Sequence, residues 1–100
     1  TLMRTNNVNV ANLWAKSKSA KSYNAQLSTD GRYLYSYDLV IGWTKPNGDK
    51  VAILYNAPNG AFESVTTSTH VRYAINASDY AELPVGHRLT KQSVKRLKAE

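Results

Sequence analysis

The chain has 100 residues, 42% of them hydrophobic, a formal net charge of +6 and no cysteine. That length sets a single domain with one modest core, and the missing cysteines exclude disulfides, thiolate metal ligands and a cysteine nucleophile. No apolar run approaches the roughly 18 residues of a membrane span.

A secreted domain this small usually needs disulfide staples, and Thr1-Leu2-Met3-Arg4 lacks the apolar segment of a secretory signal. The absence of staples points to the cytoplasm. The charge is uneven. Residues 1–21 hold Arg4, Lys16, Lys18 and Lys21 with no acid; residues 83–100 hold Arg88, Lys91, Lys95, Arg96 and Lys98 against Glu100 alone. The middle is near neutral. Clustered Lys and Arg release counterions from phosphate, so a polyanion is the partner that this charge implies.

In chain order, residues 1–15 read as an N-terminal arm, with Val10, Leu13 and Trp14 at the spacing of a short helix face or of an anchor that docks on a sheet. Strand signals begin near Ser19, where Tyr23, Ala25 and Leu27 alternate with polar residues. Asp30-Gly31 is a hairpin signal. Residues 33–44 alternate throughout, which predicts one long strand with Tyr33, Tyr35, Tyr37, Leu39, Ile41 and Trp43 on one face. Gly42 inside it marks a bulge or a close backbone approach. Pro46-Asn47-Gly48-Asp49 is a turn. A strand over 51–57, a turn at Pro58-Asn59-Gly60 and a short strand over 61–65 complete a four-stranded antiparallel meander.

The period then changes. Thr66 to Thr69 offer N-cap hydroxyls, and Val71, Ala74 and Ile75 predict a helix over 67–77. Thr90 caps a last, basic helix within 88–100. The fold class is therefore α+β: a meander, a helix on one face of the sheet, and a short basic C-terminal helix, all in one domain.

Catalytic chemistry is sparse. His70 and His87 sit in no metal-spaced cluster, and there is no paired-carboxylate signature or phosphate loop. A triad of Ser64 or Ser68 with His70 and Asp38 lacks the strand-turn-helix context of a nucleophile elbow. The expectation is a protein without enzymatic activity, metal or cofactor. Two features point to binding. Thr66, Thr67, Ser68, Thr69 and His70 at a helix start would place hydroxyls and an imidazole beside free N–H groups, a candidate anion site with Arg72 nearby. Equally, one hydroxyl caps the helix and His70 bridges helix and sheet by a hydrogen bond. The tyrosine-rich strand face either stacks bases or forms core under the 67–77 helix.

Ser28-Thr29-Asp30-Gly31, Leu34-Tyr35-Ser36-Tyr37 with Val40-Ile41, and the later Thr66-Thr67-Ser68-Thr69-His70 resemble a family of small uncharacterised bacteriophage proteins. The likeness covers roughly residues 15–77 and implies a phage origin and a bacterial host cytoplasm, with no mechanism. Where such proteins often carry Lys or Arg before the histidine, this chain has Thr69.

The sequence thus predicts a nucleic-acid-binding accessory protein that uses Lys16, Lys18, Lys21, Arg72, Lys91, Lys95, Arg96 and Lys98 on DNA or RNA. The alternative is a protein-binding module, either an inhibitor of a host protein or a virion or assembly component.

Overall fold

Two of the reversals follow directly from turn chemistry. The computed structural model of the protein describes residues 3–55, 65–82 and 90–99. At the first reversal, Asp30 Oδ1 accepts from the backbone N–H groups of Arg32 and Tyr33 at 2.9 and 2.8 Å, and Gly31 takes φ +96°. At the second, Gly48 takes φ +96° and Lys45 N donates to Asp49 O at 2.9 Å.

These turns join strands of a larger sheet. The elements are β1 (Met3–Thr5), α1 (Asn7–Ala15), β2 (Ser19–Ser22), β3 (Leu27–Asp30), β4 (Leu34–Ser36), β5 (Leu39–Thr44), β6 (Lys50–Ile53), α2 (Val65–Ala77), β7 (Tyr80–Glu82) and α3 (Lys91–Ala99). The α+β class holds. Among the described residues, however, the sheet has seven strands in chain order. Strands β2 to β6 form an antiparallel meander, while β1 joins β2 and β7 joins β6 in parallel. Parallel neighbours need a crossover, and α1 and α2 supply the two.

The expected twelve-residue strand is a hairpin. Ser36 pairs with Leu39 across Tyr37-Asp38, and Tyr37 adopts φ +54°, a region that few bulky residues enter. A two-residue turn reverses which residues share a face, and a bulge at Ile41 and Gly42 reverses it again. Tyr35 and Trp43 therefore do share a face, whereas Leu39 and Ile41 move to the other. Residues 23–26, expected as strand, form the β2–β3 turn, with Ala25 at φ +61°. The fourth strand and the Pro58-Asn59-Gly60 turn fall at 58–64, outside the described residues, and Val65 opens α2.

Residues 3–15, expected as an arm, form β1 and α1. Asn6 caps α1, its side chain accepting from Asn9 N at 2.9 Å. Val10, Ala11 and Trp14 then face inward, at the spacing of one helix stripe. They meet Ala20, Leu27, Leu34, Ile41 and Ala52 of the sheet and Val71 and Ala74 of α2. Thus α1 and α2 cover the same face. Gly42 carries the indole: a Cβ there would lie 2.8 Å from the Trp14 ring. On the opposite face, Val94 of α3 packs on Tyr35 and Val40. Tyr35 of the aromatic stripe is thus covered by α3, where the sequence placed the 67–77 helix. The layers are α1 with α2, the sheet, and α3.

Candidate nucleic-acid interface

Because strand order follows chain order, the uneven charge along the sequence becomes uneven charge across the sheet. The β1–β2 edge carries Arg4, Lys16, Lys18 and Lys21, and the β6–β7 edge carries Asp49, Asp79 and Glu82.

The register decides which cations meet. Arg4 pairs with Lys21, Lys21 with Ser28, Ser28 with Tyr35, and Tyr35 with Val40. Paired residues project to the same side, so this row lies on the face that bears α3. Arg4 is exposed and Lys21 half-buried. Lys91 reaches the same row, its Nζ 5.3 Å from the Tyr35 ring centroid. Two strand spacings, about 10 Å, separate Lys21 from Tyr35. Lys95 lines a depression with Asp38, Thr90, Lys91 and Gln92. Lys91 N donates to Asp38 O at 2.8 Å, and Ser93 N donates to Thr90 Oγ1 at 3.3 Å, which caps α3 as expected. Arg96 and Lys98 also belong to α3.

The other predicted cations lie apart. Lys16 ends α1 and Lys18 precedes β2, both exposed at the corner between them. Arg72 is exposed on α2, in the layer on the opposite face. The structure brings Lys21, Lys91 and Lys95 to one face and leaves Arg72 on the other.

A second row crosses the α3 face further along. Trp43 pairs with Val51, and Val51 with Tyr80. Lys45 Nζ lies 5.9 Å from the Trp43 ring and 4.8 Å from the Tyr80 ring, and 3.1 Å from Glu82 Oε1. Tyr80 and then Glu82 hold its ammonium above the ordinary lysine value. Sequence reasoning missed this cluster, as it missed Arg4 beside Lys21, because both depend on strand register.

The candidate anion site at Thr66–His70 is not assembled. The helix begins at Val65, so these residues wind around its first turns. Thr67 and His70 are buried against β4, where Ser36 Oγ lies 3.1 Å from Thr67 Oγ1 and 2.7 Å from His70 Nδ1. Thr69 Oγ1 donates back to Val65 O at 3.1 Å. Ser68 Oγ is buried with no partner among the described residues, and Thr66 is half-buried. His70 bridges helix and sheet, as the second reading of this segment expects. Burial lowers its pKa below the ordinary histidine value. The triad fails on the same geometry. The hydroxyl at His70 is Ser36, itself 1% exposed, and Asp38 sits in the exposed β4–β5 turn. His87 and Ser64 lie outside the described residues. Among the described residues no group of three His, Asp or Glu is placed to hold a metal ion.

One lysine is structural. Lys50 is 4% exposed, and its Nζ donates to Ser17 Oγ, Gly31 O and Thr44 Oγ1 at 3.0, 2.9 and 2.7 Å. It lies 5.6 Å from the Trp14 ring centroid. Burial lowers its pKa against the opposing pull of Asp30 and Asp79. No helix among the described residues is long and apolar enough to cross a membrane.

Comparison of the chain with protein-family models, with curated proteins and with solved structures gives no match.

Proposed function

We propose that this is a non-enzymatic, phage-type accessory protein that binds nucleic acid through the sheet face bearing α3. The observation that carries the reading is the pairing of Arg4 with Lys21 on the face where α3 adds Lys91 and Lys95. Adjacent cations on a broad surface neutralise neighbouring phosphates and release their counterions. Lys16 and Lys18 lie apart at the α1–β2 corner, and Arg96 and Lys98 belong to α3. Arg72 is not part of the surface. The phage assignment rests on the sequence resemblance alone.

The test is fluorescence anisotropy with labelled oligonucleotides at about 50 and 200 mM salt, a range over which several phosphate contacts weaken steeply. Binding at the lower salt that collapses at the higher supports the reading. No binding at either refutes it.

The second reading, a protein-binding module, draws on Tyr23, Tyr37 and Val65, which are 72%, 47% and 75% exposed. Exposed tyrosines suit protein interfaces. A host partner that is retained after nuclease treatment, by a chain that binds no oligonucleotide, favours it.

A further inference from the structure

We infer that the nucleic acid is single-stranded, with its bases stacked on Trp43 and Tyr80. The inference rests on the nucleic-acid reading above and specifies what its surface takes.

Trp43, Val51 and Tyr80 form one row across β5, β6 and β7. Val51 is fully buried, while Tyr80 is 38% exposed. The two rings therefore stand on either side of a buried valine on the α3 face, Trp43 half-buried and Tyr80 exposed. Both already receive a cation: Lys45 Nζ stands 5.9 and 4.8 Å from their centroids. A half-buried lysine over two rings marks π-faces that a flexible side chain covers, and a nucleobase can take its place.

The rest of the face repeats the pattern. Arg32 lies 5.9 Å from the Tyr33 ring, and Lys91 lies 5.3 Å from the Tyr35 ring. Tyr33 and Tyr35 stack at 6.2 Å. Among the described residues, the Lys50–Trp14 pair lies beneath the helices on the other face. Rings interleaved with cations are what a single strand requires, because bases take the rings and phosphates take the cations. In a duplex the bases stack on one another and offer no free π-face. A seven-stranded sheet is also far wider than a major groove of about 12 Å. The β5 ring lies three strand spacings, about 14 Å, across the sheet from β2 and in a row further along than that of Lys21, so one strand crossing the sheet obliquely meets rings at one side and cations at the other. Two acids stand beside the rings on this face: Asp30, whose Oδ2 accepts from Tyr35 OH at 3.4 Å, and Glu82, 3.1 Å from Lys45. Glu82 is the one at the Trp43–Tyr80 row. It opposes phosphate there, and its removal tightens binding.

Tryptophan emission reads the contact directly. Trp14 is fully buried, with Nε1 donating to Arg32 O at 3.1 Å, so a ligand on the surface reaches Trp43. The probes are oligothymidylate, oligouridylate and a duplex, each of about 15 nucleotides, a length that spans one single-strand site. The full chain is titrated at about 50 mM salt. The expected result is quenching by either single strand, weaker binding of the duplex, and a loss of about tenfold in single-strand affinity for Tyr80→Leu. Tyr80→Phe keeps the affinity, Glu82→Gln raises it, and all three variants keep the parent's melting midpoint. Duplex binding as tight as single-strand binding without quenching, or Tyr80→Leu binding like the parent, overturns this inference and leaves the nucleic-acid reading standing. Absence of binding to all three probes removes both.

Discussion

Ser36 Oγ on β4 and His70 Nδ1 on α2 stand 2.7 Å apart, with both side chains 1% exposed. The contact joins strand to helix at the corner where α2 begins. Among the described residues the other ring nitrogen, Nε2, is buried without a partner, so charging the ring adds a buried N–H that no described group accepts.

That arrangement makes stability depend on pH in a definite direction. Burial holds the His70 pKa below its ordinary value of 6.5. Below pH 6.5 the unfolded chain takes up a proton that the native state refuses. The contribution is therefore fully present above about pH 6.5 and is lost as pH falls towards the folded pKa. The melting midpoint should fall between pH 7.5 and 5.5, and His70→Gln should flatten the slope. An unchanged slope in the variant would show that other groups set the dependence. Ser36→Ala should cost about 1–3 kcal/mol at pH 7.5, because it removes the partner of a buried group.

Gly42 should tolerate no side chain. A Cβ there would stand 2.8 Å from the Trp14 ring and 3.2 Å from Leu34 Cβ. Gly42→Ala should destabilise by about 1–3 kcal/mol through overpacking. The loss should shrink in a Trp14→Phe background, since residues in contact couple. Denaturant unfolding of the four chains measures both effects, and equal losses in the two backgrounds would dismiss the contact.

Features written in local chemistry were legible in the sequence. Asp30-Gly31 and Asn47-Gly48 carry their turns with them, the helix expected over 67–77 follows from its period and runs over Val65–Ala77, and Gly42 stood out as a bulge or a close approach. What depends on distant partners was not. Tyr37-Asp38 reverses the chain without glycine or asparagine, inside a stretch whose alternation continues through the turn. Strands β1 and β7 have three residues each and exist through their pairing with β2 and β6. The basic C-terminal helix could be read from its own charges. The adjacency of Arg4 and Lys21, like the row of Trp43 and Tyr80, is set by register alone.

Lys50 is the anchor of a corner. Its three donors close on the α1–β2 loop, the β3–β4 turn and β5. Lys50→Met keeps the apolar stem and leaves Gly31 O, Ser17 Oγ and Thr44 Oγ1 without that donor. The expected cost is about 1–3 kcal/mol, read as a lower urea midpoint with an unchanged slope. A midpoint equal to the parent's would mean that solvent replaces the ammonium freely.

The most direct test of the central claim compares charge reversals on the two sides of the sheet. Arg4→Glu with Lys21→Glu alters the α3 face, and Arg72→Glu alters the outer surface of α2. Oligonucleotide affinity is followed against salt for each chain. The account predicts that the double variant loses most of the binding at about 50 mM salt and shows a shallower salt dependence, by about one phosphate contact per residue, while Arg72→Glu binds within about twofold of the parent. Equal losses per charge reversed on both sides would contradict it, because binding would then follow net charge and not this face.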